Sequence, residues 1–289
     1  MRNSHDDGGE APPQVLTIAG SDSGGGAGIQ ADLKTMTRLN TYGMSVITAV
    51  TAQNTIGVQG VETLPAEFVG RQLDSIFNDL QPTAAKTGML ANKDIVKTVV
   101  KKLQKYELSH LVVDPVMVAT SGDLLLEEEA IEIVREELLP LATLVTPNLQ
   151  EAQVLLEDGK GDEFSGKKFS QFREKDILTE LAGKIFELGP DSVLIKGGHL
   201  EGEKARDILV TAETSCEFSA PRLPHDNTHG TGCTYSAAIA AYLARGDNLE
   251  TAVDKAKKFI TAAIAEGFEL GSGINPVNHL VNKEEGNSW

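Results

Sequence analysis

Short apolar runs alternate with helix-like segments along almost the whole chain, and this alternation restricts the possible folds more than any other feature. Each apolar run ends at a glycine or a polar loop, as a buried strand does. Strands are predicted at residues 15–19, 45–50, 84–87, 111–113, 144–146 and 192–196. Helices are predicted between and after them, at residues 29–39, 65–80, 95–103, 127–138, 147 onward, 175–188, 234–244 and 249–268.

Repeated strand–helix units predict an α/β fold with a central, mostly parallel sheet flanked by helices on both faces. Residues 207–210 and 215–218 are predicted to add an antiparallel pair at one edge. Ligands of such sheets bind beyond the carboxyl ends of the strands. The loops that follow five strands are therefore expected on one rim; they are residues 20–28, 88–89, 114–115, 146–151 and 196–199.

One domain is expected at residues 14–282, because no internal repeat or linker interrupts the alternation. Residues 1–13 are polar and mostly acidic and are expected to form a disordered tail. Residues 283–289 are assigned as a C-terminal tail. Residues 159–176 are polar and aperiodic, which predicts a surface loop.

The composition argues against several classes of partner. The formal net charge of −16 disfavours nucleic acid and anionic membranes. No apolar run approaches the ~20 residues of a membrane span. The N-terminus lacks the apolar core of a secretory signal, so a cytoplasmic location is expected. Cys216 and Cys233 are too few for a disulfide framework and lack metal-ligand spacing.

Two short segments imitate nucleotide-binding motifs without completing them. Residues 161–167 nearly spell a P-loop, but Lys168 stands where Ser or Thr is required and no strand precedes it. Residues 26–31 imitate a dinucleotide fingerprint, yet residues 34–60 contain no acid that could bind a ribose. A Rossmann dehydrogenase is therefore disfavoured.

A glycine-rich loop runs directly into an apolar helix near residue 234. The backbone N–H groups of Gly230, Thr231, Gly232 and Cys233 are expected to converge at the positive end of this helix. Such an arrangement suits a phosphate or a developing oxyanion. The same positive end is expected to lower the pKa of the Cys233 thiol. The alternative is an ordinary glycine-rich helix start with a buried structural cysteine.

Eight motifs follow one another between Val15 and His279. They are AGSDSGGGAGIQADL (19–33), VTAQNT (50–55), KTGML (86–90), DPVM (114–117), TPNLQEA (146–152), KGGH (196–199), THGTGCT (228–234) and GSGINPVNH (271–279). Together they resemble the hydroxymethylpyrimidine/phosphomethylpyrimidine kinases of thiamine biosynthesis, in the ribokinase-like superfamily. The acidic N-terminal tail and residues 159–176 match no motif of that family.

The resemblance implies a ribokinase-like fold and a homodimer. It also implies ATP-dependent phosphorylation of 4-amino-5-hydroxymethyl-2-methylpyrimidine and then of its monophosphate, with Mg²⁺. Two alternatives remain open: a pyridoxal kinase of the same superfamily, and a catalytically silent ligand-binding homologue.

Phosphoryl transfer needs alignment and charge neutralisation more than covalent chemistry. The N–H groups of the loop at 230–233 are expected to bind the transferring phosphoryl oxygens. Cys233 is expected either to accept the proton of the substrate hydroxyl or only to position it.

The nucleotide side of the predicted site holds acids and one lysine. Glu151 and Asp114 suit Mg²⁺, usually through water, and Asn148 is placed beside them. Lys196 can reach the ATP phosphates as a point charge. The alternatives are a plain N-cap for Asn148, a first-turn acid for Glu151 and a solvated strand-end lysine for Lys196.

The substrate side is expected to be a small flat pocket. A side-chain amide both donates and accepts hydrogen bonds, so Gln53 is expected to bind the polar edge of the aminopyrimidine ring. The alternative is that Gln53 is only a turn residue. Asp32 either touches the substrate or is an exposed helix acid. Met89 either walls the pocket or packs in the core. The expected wall residues are Gly20, Ala27, Thr51, Met89 and Val116.

Overall fold

The computed structural model describes residues 11–117, 126–156, 174–198, 202–224 and 227–281, and within these ranges nine strands form one sheet. The strands lie in the order β3-β2-β1-β4-β5-β6-β7-β8-β9. Their bounds are β1 Gln14–Asp22, β2 Tyr42–Asn54, β3 Gly57–Thr63, β4 Ala84–Thr87, β5 His110–Val113, β6 Leu144–Val145, β7 Ser192–Lys196, β8 Lys204–Thr211 and β9 Ser215–Pro221.

The middle of the sheet is parallel and its edges are antiparallel. Strands β2, β1, β4, β5, β6 and β7 pair in parallel, whereas β8 and β9 pair antiparallel at one edge. The predicted sheet and its antiparallel edge pair are therefore confirmed. The sequence missed β3, which pairs antiparallel with β2 at the other edge. All but one of the β3 residues are exposed, so this strand lacks the apolar alternation that marks a half-buried strand.

Helices cover both faces of the sheet. On one face α1 (Gly28–Arg38), α7 (Thr231–Ala244) and α8 (Leu249–Ala265) pack on alternate strand residues such as Val15 and Val112. The other face holds a larger apolar core under the remaining α-helices, which are α2 Ala66–Phe77, α3 Lys93–Lys105, α4 Glu128–Ile133, α5 Leu149–Leu156 and α6 Glu174–Phe186.

One predicted helix differs in kind. The segment expected as a single helix at 127–138 is α-helical only to Ile133 and continues as a π-helix over Val134–Leu138. A short 3-10 turn, Leu139–Leu141, follows, and Pro140 within it has no N–H to continue an α-helix.

The predicted tails lie mostly outside the described ranges, as does most of the predicted surface loop at 159–176. The loop prediction was wrong at its end, because α6 begins at Glu174. The division into one domain and two tails stays a prediction. No helix in the described part of the chain is both long enough and apolar enough to cross a membrane.

Candidate active site

The loops expected on one rim do meet there. Lys196 Nζ, at the end of β7, donates to Asp114 Oδ1 beyond β5 at 2.8 Å. Asp114 Oδ2 accepts from Ser236 Oγ on α7 at 3.1 Å. Asn148, beyond β6, forms a parallel bridge with Lys196. A Cβ added to Gly20 on β1 would lie 2.6 Å from Cε of Met89, which follows β4.

Gly230 shapes the start of α7. Its φ of +81° is a left-handed conformation that favours glycine. A Cβ at this position would lie 1.8 Å from the carbonyl oxygen of Gly26. The Thr231 N–H donates to the Thr228 carbonyl, whereas the N–H groups of Gly232 and Cys233 meet no acceptor among the described residues. These two N–H groups at the positive helix end are thus available to an anion.

The Cys233 thiol does not have the lowered pKa that its helix position predicts. Burial raises the pKa of Cys233 to about 11, against the opposing charge of Lys86. The negative charges of Asp32 and Asp114 raise it further, while the Gly28 N–H donates to Sγ. The prediction was wrong because desolvation by tertiary packing outweighs the end of one helix.

Asp114 and Lys196 form a buried ion pair at the centre of the rim. The Asp114 side chain is 1% exposed and the Lys196 side chain 14%, so the solvated-lysine alternative is wrong. Thr146 Oγ1 also donates to Asp114 Oδ1, at 3.2 Å. Although burial opposes both charges, Lys196 lowers the pKa of Asp114, and Asp114 raises the pKa of Lys196.

Asn148 and Glu151 cap α5 reciprocally. The Asn148 N–H donates to Glu151 Oε2 at 2.7 Å, and the Glu151 N–H donates to Asn148 Oδ1 at 2.9 Å. This capping box confirms the structural alternative for both residues without testing a metal role. Burial raises the pKa of Glu151 to about 7, with Lys196 opposing the shift. The described residues contain no group of three or more His, Cys, Asp or Glu placed to hold a metal ion.

The first glycine loop is folded around Asp22. Asp22 Oδ1 accepts from the Gly24 N–H at 2.8 Å, and Oδ2 accepts from the N–H groups of Gly26 and Ala27 at 3.0 and 2.8 Å. His229 Nε2 lies 3.1 Å from the same Oδ2 and joins this loop to the start of α7. Sequence reasoning assigned Asp22 and His229 no role, although Asp-x-Gly is typical of a turn closed by its own carboxylate.

Gln53 belongs to β2 rather than to a turn, so the turn alternative is wrong. Its Oε1 accepts from Thr51 Oγ1 at 3.1 Å, and its backbone exchanges two hydrogen bonds with Ser23 Oγ. Met89 is partly exposed and touches the Gly20 position, which fits a wall residue better than core packing. Val116 is also partly exposed, close to Asp114, whose carbonyl accepts its N–H at 2.8 Å.

Asp32 departs from both of its sequence interpretations. Its side chain is 0% exposed, so it is not an exposed helix acid and presents no surface to a ligand in this structure. It pairs instead with Lys86 Nζ at 3.0 Å and accepts from Thr17 Oγ1 at 2.6 Å. Lys86 belongs to the KTGML motif, but nothing in the sequence identifies it as the partner of Asp32.

A family model described as phosphomethylpyrimidine kinase matches residues 22–278. The chain belongs to the phosphomethylpyrimidine kinase family. The resemblance predicted from the eight motifs is thereby confirmed.

Members of the phosphomethylpyrimidine kinase family match the chain closely. The hydroxymethylpyrimidine/phosphomethylpyrimidine kinase of Escherichia coli is 46% identical, over 92% of this chain and 97% of the relative. That of Streptomyces coelicolor is 49% identical, over 93% and 94%. A bifunctional thiamine biosynthesis protein of Geobacter sulfurreducens is 48% identical over 94% of this chain. That protein is longer, and the match covers only 53% of its length.

Solved structures show the same fold. A Bacillus subtilis pyridoxal kinase, solved as an ADP complex, superposes with a TM-score of 0.84 at 40% identity, covering 94% of this chain and 98% of its own. The phosphomethylpyrimidine kinase of Clostridium difficile has a TM-score of 0.74 at 44% identity, covering 87% and 99%. The predicted ribokinase-like fold is therefore confirmed.

Proposed function

We propose that this chain phosphorylates 4-amino-5-hydroxymethyl-2-methylpyrimidine with ATP, and then phosphorylates the monophosphate, for thiamine biosynthesis. The observation that carries this is the position of the loop at 22–28. A Cβ at Gly24 would lie 3.3 Å from the Gln53 carbonyl oxygen, and the Gly26 carbonyl touches the Gly230 position. The loop thus lies between the strand that carries Gln53 and the start of α7, and this arrangement supports the proposal. The relatives named for both kinase activities support the same substrate.

The free N–H groups at the start of α7 support a role in phosphoryl transfer. The N–H groups of Gly232 and Cys233 donate to oxygens of the transferring phosphoryl group, with Gly230 and Thr231 holding the turn in place. Donors that are already oriented cost no reorganisation during the reaction. Lys196 adds a positive charge at the same rim, exchanging Asp114 for a phosphate oxygen.

In this proposal Cys233 accepts the proton of the substrate hydroxyl. Because its pKa is raised to about 11, the thiol form dominates at neutral pH and the thiolate is the minor, reactive form. The Gly28 N–H that donates to Sγ favours that thiolate.

The oxygen donors at the rim fit Mg²⁺. Glu151 Oε1 makes no hydrogen bond to any residue that the structure describes, and Lys196 Nζ lies 4.0 Å from Glu151 Oε2 and 2.8 Å from Asp114 Oδ1. Mg²⁺ commonly uses one or two carboxylates plus substrate phosphates, so two acids are enough. Glu151 and Asp114 would hold the ion, directly or through water, with Asn148 keeping Glu151 in place. A bound Mg²⁺ neutralises charge on the phosphate oxygens.

The acceptor pocket is assigned to the other half of the rim. Gln53 donates to and accepts from the ring edge, and the flat ring lies between the remaining wall residues, which are Gly20, Ala27, Thr51, Met89 and Val116. Asp32 is enclosed and is assigned no contact with the substrate.

The function is tested by incubating the purified protein with ATP and Mg²⁺ and either the pyrimidine alcohol or its monophosphate. The expected products, detected by mass, are the monophosphate and the diphosphate. Formation of neither product in a protein that still binds ATP would instead support the catalytically silent homologue.

Pyridoxal is the second candidate substrate, because a similar structure at 40% identity is named a pyridoxal kinase. Incubation with the pyrimidine monophosphate distinguishes a pyrimidine kinase from a pyridoxal kinase, since a kinase of pyridoxal alone has no need to accept a phosphorylated substrate. Efficient turnover of pyridoxal without diphosphate formation would move the assignment to pyridoxal.

A homodimer and a cytoplasmic location complete the proposal. The homodimer rests on the family resemblance alone, and the cytoplasmic location rests on the polar, acidic composition. Light scattering during gel filtration measures the mass in solution, and a value near 30.8 kDa would contradict the dimer.

A further inference from the structure

Two buried ion pairs flank Cys233, and they differ in their access to solvent. The charged groups that face this thiol are Lys86 on β4, Asp32 on α1, Asp114 beyond β5 and Lys196 on β7. The pair of Lys196 and Asp114 borders the rim, where Lys196 remains 14% exposed. The pair of Lys86 and Asp32 is fully enclosed, with both side chains 0% exposed.

The enclosed pair is held rigidly between the sheet and α1. Lys86 Nζ lies 3.1 Å from Asp32 Oδ1 and 3.0 Å from Oδ2, and Thr17 Oγ1 donates to Oδ2 at 2.6 Å. Among the described residues, Nζ meets no hydrogen-bond acceptor besides Asp32. The enclosed lysine charge therefore has no exposed side at which a ligand could replace Asp32.

The ammonium of Lys86 lies directly below the rim. A Cβ added to Gly88 would be 3.0 Å from Nζ, and the next residue is the pocket wall Met89. Of the charges around Cys233, Lys86 has the largest effect opposing the rise in the thiol pKa that burial causes. The raised pKa of Lys86 itself, to which Asp32 contributes against burial, keeps it positively charged.

Stability alone is a weak reason to bury such a pair. Replacing a buried ion pair by well-packed apolar side chains is often neutral or stabilising. A fixed charge under a reacting group, by contrast, stabilises the charge that forms there without any reorganisation.

We propose that Lys86, held by Asp32, is a positioning residue for phosphoryl transfer: its enclosed positive charge stabilises the thiolate of Cys233 beside the acceptor alcohol. This inference rests on the proposed function. In the step concerned, the substrate O–H bond breaks and its proton forms an S–H bond with the thiolate. The alcohol oxygen then forms a bond to the γ-phosphorus, whose bond to ADP breaks with the electron pair leaving on ADP.

The test is the pH dependence of iodoacetamide alkylation of Cys233 in Lys86→Met, measured by mass on the peptide that contains it, without substrate. Because the thiolate reacts, we expect the alkylation midpoint to move up by about one pH unit, which makes alkylation about tenfold slower at about pH 8. The kcat–pH profile should move in the same direction. Lys86→Arg keeps the charge and should restore both profiles towards wild type.

Two controls are built into the chain. Cys216 on β9 is alkylated in the same sample, and its alkylation should be the same in the variant as in the wild type. Lys257→Met removes another buried lysine, which pairs with Asp207 Oδ2 at 2.6 Å and is not among the largest influences on the pKa of Cys233. It should leave the Cys233 profile unchanged. An equal shift in Lys257→Met would show that any loss of a buried charge loosens the site, and would overturn the proposal.

If Lys86→Met fails to fold because Asp32 is left without a cation, the double variant Lys86→Met/Asp32→Asn answers the same question. The effect of Lys86 on the thiol exceeds that of Asp32, so the midpoint should still rise. An unchanged Cys233 profile in a folded variant overturns the proposal. Failure of the proposed function is distinct, because it shows as missing phosphorylated pyrimidine with the wild-type protein.

Discussion

Cys233 is the residue at which local and tertiary influences conflict most clearly. The helix end, the Gly28 N–H and Lys86 favour a thiolate, while burial and two nearby carboxylates favour the thiol. The second group is stronger, and the pKa rises to about 11. Any reaction that uses the thiolate therefore works with a minor species at neutral pH.

The kcat of the wild-type protein is expected to increase with pH between about 7 and 9. Below its pKa the thiolate fraction increases about tenfold per pH unit, and so should a rate limited by proton transfer. Cys233→Ala should keep the fold and ATP binding, lose about 10²-fold or more in kcat, and show a flat profile. Cys216→Ala is the matched control and should behave as wild type. The proton-acceptor role is abandoned if Cys233→Ala keeps the wild-type kcat over this range.

Gln53→Ala is expected to weaken binding of the pyrimidine more than binding of ATP. Loss of a neutral hydrogen bond to a buried ring atom costs about 1–3 kcal/mol, or about 5- to 150-fold in Kd. Calorimetric titration with each ligand measures the difference. Gln59→Ala, on the neighbouring strand β3, removes the same chemical group from an exposed position and should change neither Kd. Equal losses for both ligands would give Gln53 a structural role.

At the scale of elements, α7 has a left-handed glycine at each end. Gly230 precedes the helix with φ +81°, and Gly246 follows it with φ +89°. A Cβ at Gly230 would collide with the Gly26 carbonyl, whereas a Cβ at Gly246 would meet no atom within 4 Å. An alanine would therefore be strained by a similar backbone conformation at both positions, but only at Gly230 would its Cβ also clash with a neighbouring loop.

Gly230→Ala is expected to reduce kcat by an order of magnitude or more, because it displaces the loop that positions the N–H donors. Gly246→Ala should keep the wild-type kcat. It should lose only about 1–2 kcal/mol of unfolding free energy, because alanine is strained in the left-handed backbone conformation. Steady-state kinetics and urea unfolding of both variants measure the contrast. A similar loss of kcat in the two variants would show that strain in α7, not the close approach to Gly26, sets activity.

On the scale of the whole molecule, the C-terminal segment joins distant parts of the site. The Ile274 N–H donates to the Thr55 carbonyl near the end of β2, and Pro276 bridges to His229. His279 is buried and its Nε2 lies 2.9 Å from Thr234 Oγ1 in the first turn of α7. Burial lowers the pKa of His279 to about 4, and the charge of Lys34 adds to this shift.

Acid is expected to destabilise this connection. Because the folded-state pKa of His279 lies below the unfolded value of about 6.5, its contribution is complete above pH 6.5 and is lost as the pH falls towards 4. The loss is at most about 3 kcal/mol of unfolding free energy. Urea unfolding of the wild type and of His279→Gln at several pH values in this window measures it. A variant whose stability falls as steeply as that of the wild type would exclude His279 as the cause.

The amino-acid sequence alone determined the alternating architecture and the rim, since strand and helix periods are local patterns and parallel strands end on the same side. Ala84–Thr87 and Ser192–Lys196 were predicted to the residue. The motifs likewise identified the loop at 230–233, because a glycine-rich turn before an apolar helix has a local geometric meaning.

Only the tertiary structure decided which charges meet. Asp32 and Lys86 are 54 positions apart in the sequence. Helix and strand periodicity relate only residues that are close in sequence, so nothing local identifies these two as a pair. The same holds for His229 with Asp22 and for the raised pKa of Cys233, since pairing and desolvation depend on the whole packed molecule. Strand β3 was missed in the sequence for a related reason. This exposed edge strand is stabilised by pairing with β2, and it has no apolar face that a sequence pattern could indicate.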